Sequence, residues 1–153
     1  MDNKNTNSIA MQYAADVISG KVITGKLVKL AVKRHLDDLE NGHKRGLYFD
    51  EKAAQHAIDF FQYLKHVKDS LAGSVIKLEP FQQFRLWCLF GWMKNSGKRR
   101  FRYAYNSVAR KNGKTTEASG IGIYLLLAGG VKGAEVYSCA TKKDQANICF
   151  DIA

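Results

Sequence analysis

The residues best suited to chemistry lie in one stretch, from Ser107 to Thr116, which contains a Gly-Lys-Thr turn at positions 113–115. A turn of this kind between a strand and a helix is typical of a site for nucleoside triphosphate phosphates. Amides at the helix start point at the anion, the lysine adds positive charge, and the threonine hydroxyl can ligate Mg²⁺. The full pattern has a glycine where this chain has Val108, so the match is incomplete.

The elements predicted around the turn have the order that a phosphate loop requires. Residues 101–108 alternate apolar and polar side chains and predict a strand, and residues 115–128 predict a helix. A second strand is predicted at 133–140, followed by a last helix capped by Thr141. We therefore expect an α/β fold: an N-terminal helical portion followed by the start of a P-loop NTPase parallel sheet, an incomplete βαβ core.

The first part of the chain is predicted to be helical. Apolar residues recur at helical spacing in 7–19, 25–40, 50–67 and 80–93, with Asp50 and Pro80 at helix starts. Residues 75–78 predict a short extended segment. The expected domains are an N-terminal helical region, residues 1–70, and a partial P-loop ATPase domain, residues 71–153. Because the chain stops inside its last predicted helix, we expect it to be cut from a longer protein.

The positive charge is concentrated in one block. The net charge is +10, and residues 94–114 hold eight basic and no acidic side chains. Such a block is either a solvated basic loop or a site for a polyanion, and its position beside the Gly-Lys-Thr turn favours the second. The longest apolar run is about half the ~20 residues of a membrane span, and the polar N-terminus does not resemble a signal peptide. We expect a cytoplasmic protein.

ATP hydrolysis requires more than a phosphate loop. A Walker B acid at the end of a neighbouring strand holds Mg²⁺, and a glutamate beside it orients the attacking water. Downstream of Lys114 the apolar runs end in Gly129 and Thr141, and Asp144 falls inside a predicted helix. The sequence therefore predicts nucleotide binding without efficient hydrolysis by this chain alone.

Six segments, taken together and in order, resemble the large subunit of tailed-bacteriophage terminase, the motor that packages DNA into the procapsid. They are YFDEKAA (48–54), LEPFQ (78–82), LFGW (89–92), RRFR (99–102), ARKNGKT (109–115) and ATKKDQA (140–146). They span nearly the whole chain but only the N-terminal part of the family's length. The resemblance implies ATP and Mg²⁺ as ligands. It also implies viral double-stranded DNA, a terminase small subunit, a portal protein and further copies of the chain as partners, in the host cytoplasm.

The same resemblance implies roles for individual residues. Gln82 matches the family's adenine-recognising glutamine, and Lys114 and Thr115 match its phosphate and Mg²⁺ ligands. Arg110 matches a loop arginine that approaches the γ-phosphate, since the family tolerates a loop without the first glycine and with an arginine inside it. Residues 141–146 resemble a motif that couples nucleotide state to DNA. The remaining expected nucleotide contacts are Lys111, Asn112, Gly113 and Thr116.

Two other hypotheses remain open at this point. One takes the chain as a truncated, non-enzymatic remnant or a basic DNA-binding stub, and the other as a fragment of a helicase-type translocase, which the terminase-like order of motifs disfavours. The family's Walker B acids and C-terminal nuclease domain have no counterpart in this sequence, so nuclease activity is not expected of it. A parallel sheet cut after two strands leaves an open edge, which predicts self-association.

Overall fold

The fold is mostly helical, with one small antiparallel sheet, in a computed structural model that describes residues 8–67 and 69–152. Contacts divide the chain into two compact units. Unit 1 holds the residues up to Ile58 together with Leu78–Ala104, and unit 2 holds Asp59–Lys77 and the residues from Tyr105 onward. The regular elements are α1 (Ile9–Ser19), α2 (Lys26–Asn41), β1 (Leu47–Phe49), α3 (Glu51–Asp59), α4 (Pro80–Gly91), β2 (Trp92–Lys94), α5 (Lys114–Leu127) and α6 (Lys143–Ile152).

The helices of unit 1 start and stop where local sequence signals place them. Ser8 caps α1, its hydroxyl accepting from the Met11 amide at 3.1 Å, and Gly20 ends that helix in the left-handed region. Asp50 accepts from the Ala53 amide at 2.9 Å and so caps α3 as predicted. α1 packs on α4 and α2 through small and branched side chains. The resulting core is Ala10, Ala14, Val17, Val32, Phe84, Leu86, Trp87 and Phe90.

A two-stranded sheet closes unit 1. β1 pairs antiparallel with β2, and Phe49 lies opposite Trp92. The sequence analysis assigned residues 92–93 to the end of a helix and did not predict this sheet. α4 ends at Gly91, whose carbonyl accepts from the Asp50 amide at 2.7 Å. Glycine is required at this position because a side chain would collide with the Phe49 ring.

A buried polar cluster links α2 to the strand and the segment after it. Trp92 donates its indole N–H to Nδ1 of His35 at 2.9 Å, which leaves Nε2 facing the Met11 sulfur at 3.4 Å. One turn further along α2, the carboxylate of Asp38 pairs with the guanidinium groups of Arg45 and Arg100. Both His35 and Asp38 are 2 % exposed. Their hydrogen bonds therefore come from protein partners, Trp92 for His35 and the two arginines for Asp38, since water has little access.

Unit 2 is built from two separate stretches of chain. The 3₁₀ turn Phe60–Tyr63 packs against α5, where the rings of Phe60 and Tyr124 meet edge to face at 5.4 Å. α5 is tied to α6 by the Ser119 hydroxyl, which donates to the Cys149 carbonyl at 2.8 Å. The segment before α6 is also held to this helix, since the Ser138 hydroxyl donates to the Ala146 carbonyl at 2.9 Å.

Besides the helical assignment of residues 92–93, three predictions of secondary structure are wrong. The helix predicted over 50–67 ends as α3 at Asp59 and a 3₁₀ turn, because Leu64 is extended and Lys65 bridges to Val75. The last helix begins at Lys143, two residues after the predicted cap.

The third error is the most consequential, because it concerns the predicted parallel sheet. Within residues 8–67 and 69–152, the segments 101–108 and 133–140 form no hydrogen-bonded strand, and no parallel sheet is present. A strand needs a partner for its backbone groups, and alternation of side chains supplies none. Tyr103, Tyr105 and Tyr137 accordingly remain 77–95 % exposed.

The division into domains at residue 70 stays a prediction, and the two compact units interleave along the chain. No helix in the described part of the chain is long and apolar enough to cross a membrane.

Candidate nucleotide-binding loop

The predicted phosphate loop is a tight turn that leads directly into α5. Gly113 is the N-cap of α5 and has φ 67° and ψ 15°, a left-handed conformation that glycine adopts without steric cost. Lys111 also has a positive φ, 64°, which is costly for a residue with a side chain. The Asn112 side-chain amide donates to the Ala109 carbonyl at 3.3 Å. Because Gly113 has no side chain to cap the helix, the first-turn amides of α5 receive no side-chain cap.

The Lys114 ammonium lies across the loop. Its Nζ donates to the backbone carbonyl of Val108 at 2.7 Å, six residues earlier, and the side chain is exposed. Val108 stands where the usual pattern has a glycine, and it contributes a carbonyl group that any residue could supply. The missing glycine is therefore compatible with a closed loop.

The other predicted contacts are grouped around this cation. Arg110, Lys111 and Asn112 are exposed on the loop, and Thr115 and Thr116 are half-buried in the first turn of α5. The sequence analysis overlooked Glu117, which is 3 % exposed and follows in the same turn. Its signal was visible, since it is the first acid after the acid-free block. The loop thus has exposed cationic side chains, and the first carboxylate after it in the sequence is buried.

Gln82 is placed in a different setting from the loop. It is the third residue of α4, where its Oε1 accepts from the Glu79 amide at 2.8 Å while the Glu79 side chain accepts from the Gln82 backbone. This reciprocal pair is a capping box, and it buries Gln82 to 6 % exposure. Gln82 belongs to unit 1 and the loop belongs to unit 2.

The basic block does not act as a single surface. Arg100 is committed to the buried Asp38 carboxylate and lies over the Phe101 ring at 4.9 Å. Arg99 lies over the Phe90 ring at 5.5 Å. The basic residues of the block that remain exposed are Lys94, Lys98, Arg102, Arg110, Lys111 and Lys114. Part of the charge that the sequence analysis assigned to a polyanion site therefore stabilises the fold of unit 1.

Magnesium would depend on the loop and its ligand. Across residues 8–67 and 69–152 no group of three or more His, Cys, Asp or Glu side chains could hold a metal ion. A threonine hydroxyl after the loop lysine fits the usual arrangement, in which Mg²⁺ takes few protein ligands and completes its shell with phosphates and water. Thr115, the residue that the sequence analysis predicts for this role, lies in the first turn of α5.

Comparison with known proteins gives one match. Residues 80–153 match the family model described as the terminase large subunit, ATPase domain. The matched stretch contains Gln82 and the whole loop from Val108 to Thr116. A search of curated proteins and a search of solved structures found no match.

Proposed function

We propose that this chain is the ATP-binding part of a motor that packages viral DNA into a procapsid, because residues 80–153 match the family model of the terminase large subunit, ATPase domain. The observation that most directly supports ATP binding is the Lys114 ammonium held 2.7 Å from the Val108 carbonyl at the start of α5. That arrangement unites a fixed cation with the positive end of a helix dipole, and the two attract phosphate together.

We assign each loop residue a separate task. Lys114 would hold the β- and γ-phosphates, and the amides of 110–113 and of the first turn of α5 would donate to them. Thr115 would hold Mg²⁺, which would neutralise phosphate charge, and Thr116 would add a contact in the same turn of α5. Arg110 is exposed at the loop, and we assign it the contact to the γ-phosphate.

The strain at Lys111 supports this assignment independently. A non-glycine residue in a left-handed conformation costs about 1–3 kcal/mol, and such residues concentrate at ligand sites. Lys111 directs a cation outward from a turn that a glycine would form more cheaply. We assign Lys111 a second positive contact to the phosphates.

The adenine role of Gln82 rests on family resemblance alone. Its carboxamide oxygen already accepts the cap hydrogen bond from Glu79. Recognition of adenine by both ends of the carboxamide would require the α4 cap to open.

The partners proposed from the family are viral double-stranded DNA, a terminase small subunit, a portal protein and further copies of this chain. Residues Lys98 and Arg102, exposed and outside the loop, are the ones we expect to face DNA phosphates.

The test is ATP binding to a single-residue variant. Lys114→Ala should raise the Kd for MgATP about tenfold to a hundredfold, because a hydrogen bond to a charged group contributes roughly 1.5–3 kcal/mol. Lys132→Ala, which removes an exposed lysine of unit 2 outside the loop, should leave the Kd unchanged. Isothermal titration calorimetry measures both. Equal MgATP affinity in the Lys114 and Lys132 variants would refute the phosphate-loop assignment.

A further inference from the structure

The first half of α2, in unit 1, carries an exposed patch whose centre is apolar and whose surroundings are mostly basic. Leu30 is the centre of this patch and is 50 % exposed. Residues three and four positions away are its neighbours on the helix surface. They are Lys26, Leu27, Lys33 and Arg34, and all four are exposed. These five residues together are called the Leu30 patch below.

The leucines of the patch face away from the core of unit 1. Leu27 is 80 % exposed, whereas Val32 and His35, on the other side of α2, are buried. Ile23, which is 95 % exposed and lies just before α2, adds apolar surface at the same end of the helix. Single exposed apolar side chains are common on proteins, but adjacent ones mark an interaction site.

The charge around these leucines has one sign. Residues 17–36 contain five Lys and Arg side chains and no Asp or Glu. In the part of the chain that the structure describes, no ion pair uses a basic residue of the Leu30 patch. The first turn of α2 also lacks an acid and a side-chain cap, so the positive end of the helix dipole adds to these charges. The patch therefore attracts carboxylates.

One cation at the edge of the patch is held in place by other residues of unit 1. The Arg34 guanidinium lies over the Phe101 ring at 5.2 Å, and the Arg100 guanidinium lies over the same ring at 4.9 Å. Arg100 is in turn paired with the buried carboxylate of Asp38. A cation that is already held in position loses less side-chain entropy when an anion binds it.

We propose that the Leu30 patch docks an acidic amphipathic helix of another protein. Apolar side chains of that helix pack against Leu27 and Leu30, and its flanking carboxylates pair with the three cations of the patch. The backbone groups of α2 are bonded within the helix and offer no edge to an extended strand, so a second helix is the element that fits. The inference does not depend on the Gly-Lys-Thr turn and goes beyond the proposed function.

The composition of the patch argues against three other occupants. Nucleic-acid phosphates would bind the cations and leave the two leucines exposed. A second copy of the chain, meeting patch to patch, would bring like charges together. An amphipathic helix on a membrane buries a broad apolar face, but the broad apolar side of α2, which includes Val32, is buried inside unit 1.

The experiment measures peptide binding to the full chain by fluorescence anisotropy. The probe is a labelled synthetic peptide of about 20 residues, since shorter helices are marginal in water. It carries leucines at i, i+3, i+4 and i+7, with glutamates beside them. The control peptide has the same residues in an order that gives no leucine face. The helical peptide should bind about tenfold more tightly than the control peptide.

Two variants test the two parts of the patch. Leu30→Ala should raise the Kd of the helical peptide about tenfold, as expected when the central side chain of an interface is removed. Lys33→Glu should also raise that Kd and should make it less dependent on salt concentration. Leu126→Ala is the matched control, because Leu126 is 51 % exposed on α5, outside the patch, and should leave the Kd unchanged. Far-ultraviolet circular dichroism checks that each variant folds.

Each result supports or overturns the proposal. A preference for the helical peptide that is lost in Leu30→Ala and retained in Leu126→Ala supports it. Equal affinity for the two peptides, or no binding of either, overturns it, as does an unchanged Kd in Leu30→Ala. Phosphatidylserine vesicles, duplex DNA and self-association are tested with the same variants. A Leu30-dependent signal from any of these, without a preference for the helical peptide, would assign the patch to that occupant and overturn the proposal.

Discussion

The histidine inside unit 1 should make the stability of that unit depend on pH. His35 is 2 % exposed, its Nδ1 accepts the indole N–H of Trp92, and burial lowers the pKa of the imidazole to about 4. The carboxylate of Asp38 opposes this change, while Arg100 and Arg34 add to it. Protonated His35 would lose its acceptor at Nδ1 and bring a positive charge into an aromatic environment.

The magnitude follows from proton linkage. Unfolded histidine has a pKa of 6.5 and folded His35 one of about 4, and each pH unit of difference is worth about 1.4 kcal/mol. Between these values the unfolded chain binds a proton that the folded chain does not. The contribution of neutral His35 is therefore fully present above about pH 6.5 and is lost as the pH falls to about 4, a decrease of about 3 kcal/mol in the free energy of unfolding.

The measurement is urea unfolding followed by tryptophan fluorescence. Both tryptophans of the chain, Trp87 and Trp92, lie in unit 1, so the signal reports on that unit. His35→Gln should be less stable than wild type at pH 7.5 by about 1–3 kcal/mol, because the Trp92 indole loses its acceptor. Carboxylate titration acts on both proteins, so the difference between them isolates His35.

The two stability curves should converge as the pH falls from 6.5 towards 4. Trp92→Phe, which keeps the histidine, should be destabilised and yet retain the steep pH dependence. Parallel curves for wild type and His35→Gln across this range would show that His35 does not titrate as its burial implies, and the reasoning would be refuted.

Three further predictions concern unit 2 and the basic block. Gly120→Ala should lower the free energy of unfolding by about 1–3 kcal/mol, because the added methyl group would overpack against Phe61. At Gly122 an added Cβ would meet its nearest neighbour at 3.4 Å, so Gly122→Ala should instead stabilise α5 by up to about 1 kcal/mol. Thermal unfolding compares them, and equal effects would contradict the packing argument. Lys111→Gly should raise the free energy of unfolding by about 0.5–1 kcal/mol, because glycine adopts the left-handed conformation without strain. The same change should weaken MgATP binding. A lower free energy of unfolding in urea would contradict strain at this position. DNA binding, measured by fluorescence anisotropy, should weaken steeply between about 50 and 200 mM salt, and Arg102→Ala should reduce the logarithmic salt slope by about one. Salt-independent binding would exclude phosphate contacts by the exposed basic residues.

Local signals in the sequence were sufficient for most helices. The Ser8 cap, the proline at the start of α4 and the apolar spacing of α5 each act within one or two turns, and the structure confirms those helices. The Gly-Lys-Thr turn was also readable, because a glycine before a helix start determines the local backbone.

Features that depend on distant partners were not readable from the sequence. The bond from Trp92 to His35 joins residues 57 apart, and the pair of Arg100 with Asp38 joins residues 62 apart. Nothing local distinguishes Arg100 from the other basic residues beside it, so its charge was assigned to a surface. The adenine role of Gln82 came from the family resemblance and stays a prediction, whereas its capping box with Glu79 is seen only in the structure.

The discontinuous make-up of unit 2 has a practical consequence for dissecting the protein. The stretch that matches the terminase ATPase family model begins at residue 80. The residues that cover α5 in this unit, Phe60 and Phe61, come from the chain before it. A recombinant fragment trimmed to the homologous boundary would retain the Gly-Lys-Thr turn and expose the Gly120–Tyr124 side of its helix to solvent. Expression boundaries for biochemical work should therefore be drawn upstream of Asp59. A protease cut within residues 59–77 should destabilise unit 2 while leaving the Gly-Lys-Thr turn intact.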